Sequence, residues 1–365
     1  MSIGIILGTR PEIIKMSPII RECQKRGISF FILHTGQHYS KGMDDIFFQE
    51  LSLPQPDYNL KLGGLPYRKQ VGLFSKHISR VLKREMPRVV IVQGDTITVI
   101  TGTQSANKLG IPVAHLEAGL RSHDITMMEE VNRILTDHNS EFLFAPTALA
   151  VKHLLTEGCA KKKIFLTGNT IVDAMRAHTA HIARSTVLTR ETLRSKKFFL
   201  VTVHRAENVD RKERLASIVK GLSLVKEHFS EYEMIFPIHP RTVKMLKEFG
   251  LTIDSSIRTI PPVGYFDMLS LQKNARLIIT DSGGIQEEAC LFKVPVVTIR
   301  DTTERPETVT LGVNKLVPGM DPMHLLEVTK EMFGKRHIWS NPFGDGKTAK
   351  RVVDILTLHL KTATR

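Results

Sequence analysis

The sequence predicts an α/β fold in two domains, and three observations support this prediction. At 365 residues, the chain is long for a single hydrophobic core. Short apolar runs alternate with amphipathic stretches, as expected of parallel strands buried on both faces and the helices that connect them. A polar helical segment at residues 171–197 interrupts this alternation once. Each side of the interruption is therefore expected to form its own parallel sheet.

The first half of the chain has six strand-like runs with helical stretches between them. The helical stretches include residues 11–25, 98–109 and 129–139, and the first of them begins with a proline, a common helix start. The strands are predicted at residues 3–7, 30–34, 89–93, 113–116, 142–145 and 164–166.

The second half repeats the pattern, and the two Rossmann-like halves meet near residue 172. We assign residues 1–172 with a C-terminal helix at 346–365 to the first domain, and residues 173–345 to the second. Ligands of such sheets bind at the carboxyl ends of the strands, so we expect both domains to face a central cleft that holds the site. The strands are predicted at residues 198–203, 234–238, 257–260, 277–279, 296–299 and 315–317.

The composition narrows the function classes. Hydrophobic residues make up 42% of the chain and charged residues 24%, which is ordinary for a globular protein. No apolar run approaches the ~20 residues of a membrane span, and the first strand begins too early for a signal peptide. The three cysteines lack metal-binding spacing, which favours a cytoplasmic setting. The net charge of +14 is dispersed, which argues against a nucleic-acid partner and fits a basic surface or an anionic substrate.

Residues 281–288 form the most informative segment. An apolar strand leads into Ser282, Gly283 and Gly284, and a helix follows. Backbone N–H groups at such a helix start can meet a phosphate, and the glycines remove side chains that would obstruct it. Glu288, one helical turn further on, could accept hydrogen bonds from ribose hydroxyls. An ordinary structural turn is the alternative interpretation.

Polar residues also follow the strands of the first half. Arg10 and Lys15 come after the first strand and are expected to face the cleft, although a capped helix with surface charges would explain them too. Asp95 lies on the tight turn after the third strand. A carboxylate there suits acid/base catalysis, and helix capping is its structural alternative.

Two further acidic positions complete this set. Glu117 ends an apolar strand, where a carboxylate is costly unless it is functional or partnered, for example by Arg121. Glu129 and Arg133 are four residues apart and share a helix face, so an exposed ion pair is one interpretation. Together with Asp95, these two carboxylates would supply what proton abstraction and return require.

The second half places basic residues at its strand ends. His204, Arg205 and Glu207 follow its first strand and could clamp a diphosphate. His239 follows the next strand, and Arg305 lies after the strand that succeeds the Ser-Gly-Gly turn. The second half is therefore predicted to hold a nucleotide diphosphate, and the first to carry the chemistry.

These motifs, in this order, resemble those of the non-hydrolysing UDP-N-acetylglucosamine 2-epimerases, whose two-domain fold is also that of the GT-B glycosyltransferases. The set covers almost the whole chain and is specific as an ordered set. The matching segments are residues 8–12, 93–96, 115–121, 129–133, 204–208, 281–288, 301–307 and 341–346.

The resemblance implies reversible inversion at C2 of UDP-GlcNAc to give UDP-ManNAc, with no nicotinamide or other cofactor and no metal. Members of the family are thought to eliminate UDP, which leaves a 2-acetamidoglucal, and then to add UDP back while a proton returns to C2 from the opposite side. The resemblance also implies a homodimer formed through the first domain.

The resemblance further implies roles for single residues. It makes Asp95, Glu117 and Glu129 the acid/base carboxylates, and His204 a catalytic group that, with Arg10, stabilises the leaving diphosphate. The other expected substrate contacts are Lys15, Arg133, Ser282, Gly283, Gly284, Glu288 and Arg305.

Some members bind a second UDP-GlcNAc as an activator. Gln37, His38, Arg205 and His239 match parts of that motif, which makes an activator site possible in this chain. Ser40 and Lys69 stand where those members carry Gln and Arg. Two other departures concern the active site, because Met128 replaces a usual proline and Met268 replaces a frequent aromatic residue.

Three alternatives stay open at this point. Residues 262–265 resemble a sister group that epimerises UDP-2,3-diacetamido-2,3-dideoxyglucuronate, whereas residues 287–288 and 305–307 agree better with the GlcNAc enzymes. A hydrolysing relative would release ManNAc and UDP. A GT-B glycosyltransferase would use a similar UDP site, but three carboxylates in one half favour proton transfer.

Overall fold

The computed structural model describes residues 2–37, 43–335 and 338–362. The chain divides into two compact units: unit 1 comprises residues 1–177 and 342–365, and unit 2 comprises residues 178–341. Each unit contains one wholly parallel sheet flanked by helices, so the predicted two-domain α/β class is confirmed. Within the described ranges, no helix is long and apolar enough to cross a membrane.

Within the described residues, the sheet of unit 1 has seven strands in the order β3-β2-β1-β4-β5-β6-β7. The six predicted runs correspond to six of these strands, and the short β3 was not predicted. The strands are β1 Ser2–Leu7, β2 Ser29–His34, β3 Tyr58–Asn59, β4 Val89–Gln93, β5 Val113–Leu116, β6 Phe142–Ala145 and β7 Ile164–Leu166. The helices are α1 Arg10–Lys25, α2 Met43–Glu50, α3 Tyr67–Glu85, α4 Ile97–Asn107, α5 Met128–His138, α6 Ala148–Thr156 and α7 Thr170–Ala177.

In the part of unit 2 that the structure describes, the sheet has six strands in the order β10-β9-β8-β11-β12-β13. The strands are β8 Phe198–Thr202, β9 Glu233–Pro237, β10 Arg258–Ile260, β11 Leu277–Thr280, β12 Val296–Thr298 and β13 Asn314–Leu316. The helices are α8 Thr179–Arg184, α9 Val187–Arg190, α10 Ala206–Val209, α11 Lys212–His228, α12 Pro240–Phe249, α13 Tyr265–Asn274, α14 Gly283–Phe292, α15 Pro306–Thr310 and α16 Pro322–Gly334.

The strands are apolar throughout because both faces of each sheet are covered. Along β8, Phe199 and Val201 pack into the cluster that includes α11 and α16. Phe198 and Leu200 point the other way, into the cluster that includes α13 and α14. Consecutive residues of a strand thus fill two separate cores, which positions the strand ends firmly.

The chain returns to unit 1 through its last helix, α17 (Thr348–Thr362). This helix packs against α1 and α7. Asp173 of α7 accepts hydrogen bonds from the backbone N–H groups of Thr348 (3.2 Å) and Ala349 (2.9 Å). A carboxylate at these N–H groups caps the helix start, so the first and last parts of unit 1 are joined.

Candidate active site

The turn between β1 and α1 is tightly packed. A Cβ atom at Gly8 would lie 2.1 Å from Thr35 Oγ1 and 2.2 Å from Thr98 Oγ1, so only glycine fits. The Glu12 carboxylate accepts hydrogen bonds from the backbone N–H groups of Gly8 (2.5 Å) and Thr9 (3.2 Å). The guanidinium of Arg10, the next residue, lies 5.7 Å from the centre of the Phe47 ring. The packed turn therefore fixes the position of the Arg10 backbone.

The Glu117 carboxylate lies at the end of β5 and is surrounded by donors. Its Oε1 accepts from Lys15 Nζ and from Asn169 Nδ2 (2.7 Å), and its Oε2 accepts from Gln93 Nε2 (2.6 Å). The backbone of Glu117 is left-handed, with φ +66°, which is a strained conformation for a residue with a side chain. Three donors, from α1, the end of β4 and the segment after β7, thus hold this carboxylate in one orientation.

Arg121 is not the partner of Glu117, so this choice of partner is wrong, and Lys15 takes that place. Arg121 pairs instead with Glu157 (Nη2–Oε2, 2.5 Å) and Asp137 (Nη2–Oδ2, 2.7 Å). The Asp137 carboxylate also lies 2.7 Å from His115 Nδ1, and His115 Nε2 lies 2.8 Å from the Gly94 carbonyl oxygen. Burial acts to raise the pKa of Asp137, but His115 and Arg121 outweigh it and hold that pKa below its usual value. This buried network supports the turn that carries Asp95.

Asp95 is partly exposed and its carboxylate accepts from Arg133 Nη2. Arg133 is buried and also donates to Glu130, whose carboxylate accepts from the backbone N–H groups of Ser122 (3.0 Å) and, beyond it, His123 (2.9 Å). Glu129 is exposed on the surface of α5. The interpretation of Glu129 and Arg133 as an exposed ion pair is therefore wrong, because Arg133 points inward and pairs with Glu130.

The described residues of the possible activator site are Gln37 in unit 1 and Arg205 and His239 in unit 2. Gln37 Oε1 accepts from the Thr98 backbone N–H (3.1 Å) and hydroxyl (3.0 Å) at the start of α4. His38 and Ser40 lie outside the described residues. In unit 2, Arg205 Nη1 lies 3.8 Å from Glu207 Oε1. The rings of His239 and His204 lie 5.7 Å apart, centre to centre.

In unit 2, Asp281 organises the end of β8. Its Oδ2 accepts from the backbone N–H groups of His204 (2.9 Å) and Arg205 (2.9 Å) and from Asn208 Nδ2 (3.1 Å), while its Oδ1 lies 2.9 Å from His204 Nδ1. Burial acts to raise the pKa of Asp281, but His204 and the backbone N–H groups hold it well below its usual value. The ionised Asp281 therefore fixes the orientation of the half-exposed His204 ring.

The Ser-Gly-Gly turn starts α14 as predicted, with Ser282 preceding the first helical residue. A Cβ atom at Gly283 would lie 3.0 Å from Arg305 Nη1, so the arginine packs directly on this glycine. Arg305 is buried and donates to Glu287 Oε1 (2.9 Å) and Glu304 Oε2 (3.0 Å). Three predicted ligand contacts, Ser282, Gly283 and Arg305, thus lie together beyond the ends of the neighbouring strands β11 and β12, next to Gly284.

Glu288 faces into unit 2 and is held by α13. Its Oε2 accepts from Gln272 Nε2 (2.7 Å). Tyr265 is buried beside it, and burial together with the charge of Glu288 raises the pKa of the tyrosine hydroxyl well above its usual value. Gln272 thus orients this carboxylate, and Tyr265 of the same helix packs next to it.

Several residues of these clusters were not singled out from the sequence. Gln93, Asn169 and Glu130 each hold a predicted catalytic residue or its partner. Asn169 follows β7 as Glu117 follows β5, so a stricter search of every strand end would have found it. Among the described residues, no group of three or more His, Cys, Asp or Glu side chains could hold a metal ion.

Comparison with known proteins places the chain among nucleotide-sugar enzymes. A family profile described as UDP-N-acetylglucosamine 2-epimerase matches residues 21–357. A UDP-N-acetylglucosamine 2-epimerase of Methanocaldococcus jannaschii is 53% identical over 98% of this chain and 99% of its own. A UDP-2,3-diacetamido-2,3-dideoxy-D-glucuronate 2-epimerase of Pseudomonas aeruginosa is 37% identical over 98% of this chain and 99% of its own.

A solved structure has a similar fold over nearly the full length of this chain. The crystal structure of the Methanocaldococcus jannaschii UDP-GlcNAc 2-epimerase in complex with UDP-GlcNAc and UDP has a TM-score of 0.93 and 52% identity to this chain. The similarity covers 98% of this chain and 100% of that one.

Proposed function

Since the chain belongs to the UDP-N-acetylglucosamine 2-epimerase family, we propose that it interconverts UDP-GlcNAc and UDP-ManNAc by inverting C2. The observation that carries this proposal is the 53% identity to the Methanocaldococcus jannaschii epimerase over nearly the full length of both chains. The protein is then an isomerase, and UDP-sugars are its substrates.

The proposed mechanism is elimination followed by re-addition. No carbonyl adjoins C2, so direct removal of its proton would leave an unstabilised carbanion. If the C1–O bond breaks as the proton leaves, the electron pair of the C2–H bond forms the C1=C2 double bond. The electron pair of the C1–O bond departs with UDP, and a 2-acetamidoglucal remains. UDP then adds back to C1 while a proton is delivered to the opposite face of C2, which completes the inversion.

Unit 1 carries residues suited to the proton transfers. We propose that Asp95, Glu117 and Glu129 share proton removal and return. Glu117 accepts from Lys15, Gln93 and Asn169, whereas Asp95 is partly exposed beside Arg133. We propose that the two carboxylates, set in such different surroundings, take separate acid and base roles.

Unit 2 carries residues suited to holding UDP. We propose that His204 stabilises the departing diphosphate. Its Nδ1 lies 2.9 Å from the ionised Asp281, which orients the ring, so Nε2 is the ring nitrogen left to contact a phosphate oxygen. Ser282, Gly283, Gly284 and Arg305 would contact the phosphates, Glu288 would accept from the ribose, and Arg10 and Lys15 of unit 1 remain further proposed contacts.

The decisive experiment is turnover of UDP-GlcNAc in deuterated water, followed by NMR. UDP-ManNAc that carries deuterium at C2 is the expected product. Release of free ManNAc with UDP would assign a hydrolysing reaction instead. An unchanged UDP-GlcNAc with no acceptor present, but sugar transfer once acceptors are added, would assign a glycosyltransferase.

The diacetamido uronate is the second candidate substrate. It is favoured by the 37% identity to the Pseudomonas aeruginosa enzyme and by the similarity of residues 262–265. Both substrates should be assayed in parallel, and a higher kcat/KM for the uronate would move the assignment.

The assembly and location expected from the sequence stay predictions. We propose a homodimer formed through unit 1, which analytical ultracentrifugation at several protein concentrations would test. The cytoplasmic location would be tested by fractionation of cells that express the protein.

A further inference from the structure

The Glu12 carboxylate joins two turns that carry predicted active-site residues. Its Oε2 accepts from the backbone N–H groups of Gly8 and Thr9, which immediately precede Arg10. Its Oε1 accepts from Thr96 Oγ1 at 2.6 Å, and Thr96 immediately follows Asp95. The two turns end the neighbouring parallel strands β1 and β4. One buried side chain, 2% exposed, thus connects the Arg10 turn to the Asp95 turn.

Helix capping alone does not account for this arrangement. Glu12 is the third residue of α1, where a glutamate commonly accepts from the N–H of the residue before the helix. That role needs only the bond to Thr9. The bond to Thr96 reaches a residue 84 positions away and contributes nothing to the cap of α1. It is a connection between two strand ends.

The partners of Glu12 respond differently to its protonation. All three donate to it, so the ionised carboxylate satisfies each of them. A protonated Glu12 has to donate its own hydrogen, and the two backbone N–H groups cannot accept it. The Thr96 hydroxyl can accept only by turning its own hydrogen away. Protonation therefore reverses the bond to the Asp95 turn and leaves the bonds to the Arg10 turn in place.

The surroundings of Glu12 place its protonation near neutral pH. Burial raises the pKa of Glu12 to about 7, and the hydrogen bonds from Thr96, Gly8 and Thr9 oppose that rise. Asp95, on the facing turn, is the charged group whose field adds to it. The cationic residues of α1 nearest to Glu12 in the sequence contact other groups: Lys15 donates to Glu117, and Arg10 lies against the Phe47 ring.

We propose that Glu12 is a positioning residue that holds the Asp95 turn in register with the Arg10 turn, and that loss of its charge lowers turnover. The inference rests on the proposed function, because it assumes that Asp95 acts on the sugar.

The test is the pH profile of kcat for the wild type and for Glu12→Gln, which has nearly the same shape but no charge. We expect the wild-type kcat to fall as the pH drops through 7. Glu12→Gln should be slower at pH 8 by about 10-fold, the effect of one weakened positioning contact, and should lack this fall. UDP affinity should change less than twofold, because the UDP residues proposed above lie mainly in unit 2. A variant that keeps full turnover and the acid fall would overturn the proposal.

Two further comparisons separate positioning from a general loss of folding. Thr96→Val removes the hydroxyl and should behave like Glu12→Gln, whereas Thr96→Ser should retain the wild-type profile. Glu22→Gln, on the same helix but paired with Arg26 at the surface, is the matched control and should keep both kcat and its profile. If Thr96→Val were active with an unchanged profile, the connection would have no catalytic role.

The proposed function can fail separately from this inference. A wild type that does not epimerise UDP-GlcNAc would refute the function. The connection would still be tested by amide exchange of the Asp95 turn, which should be faster in Glu12→Gln and unchanged in Glu22→Gln. Equal exchange in all three proteins would refute the connection.

Discussion

Lys15 and Glu117, 102 residues apart in the sequence, form a buried ion pair at the strand ends of unit 1. The sequence predicted Lys15 as a contact of the nucleotide and Glu117 as a catalytic carboxylate. In the folded protein, the lysine donates to that carboxylate. A substitution of Lys15 is therefore expected to act mainly on the Glu117 carboxylate.

Lys15→Met should reduce turnover much more than UDP affinity. The substitution leaves a buried carboxylate without its charged partner, which typically costs about 3–5 kcal/mol of stability. Urea unfolding, kcat and the dissociation constant of UDP measure the three effects. Lys25→Met, an exposed lysine of the same helix, is the control and should be neutral. Lost UDP affinity with kcat retained would show that Lys15 acts as the proposed nucleotide contact and not through Glu117.

The strand ends were predictable from the sequence because parallel strands buried on both faces leave a plain apolar signal. β4 and β5, for example, occupy the residues predicted for them. Polar residues at strand ends are the exception in such a pattern, so Asp95 and Glu117 stand out from the amino-acid sequence alone.

The partners at those strand ends were less predictable. Glu117 takes its donors from residues 15, 93 and 169, a choice that depends on tertiary packing. Glu129 and Glu130 are adjacent on α5, and a spacing of three or four residues places either near Arg133. The structure selects Glu130, because its side of the helix is buried. Helix periodicity alone could not decide between the two.

Asp95→Asn should abolish turnover while UDP still binds. The amide keeps the shape of the side chain but cannot take or return a proton, and loss of one acid/base group typically costs about 100-fold or more in rate. Stopped assays give kcat, and calorimetry gives the affinity for UDP. Asp254→Asn, an exposed loop residue of unit 2, is the control. A variant that loses UDP binding instead would show that Asp95 belongs to the nucleotide site.

Tyr265→Phe should raise KM with little change in kcat. The hydroxyl is buried beside the Glu288 carboxylate, and an interaction of this kind with a charged group contributes about 1.5–3 kcal/mol, so KM should rise about 10-fold. A substrate lacking the ribose 2′-hydroxyl offers a direct check, because the variant and the wild type should differ less on it. Tyr232→Phe, packed in the opposite core of unit 2, is the control. Equal effects on both substrates would show that Glu288 does not contact the ribose 2′-hydroxyl.

Glu12 should make stability depend on pH in a way that Glu12→Gln does not. The pKa of this carboxyl rises from its ordinary value of 4.5 to about 7 on folding, so the folded protein binds the proton more tightly than the unfolded chain does. Ionised Glu12 therefore costs stability above pH 7, and the cost disappears as the pH falls from 7 towards 4.5. The rise corresponds to about 3 kcal/mol. Urea unfolding at pH 5 and pH 8.5 should show the wild type gaining about this much relative to Glu12→Gln at the lower pH. Glu22→Gln should follow the wild type, and a constant difference between wild type and Glu12→Gln would mean that Glu12 does not titrate in this range.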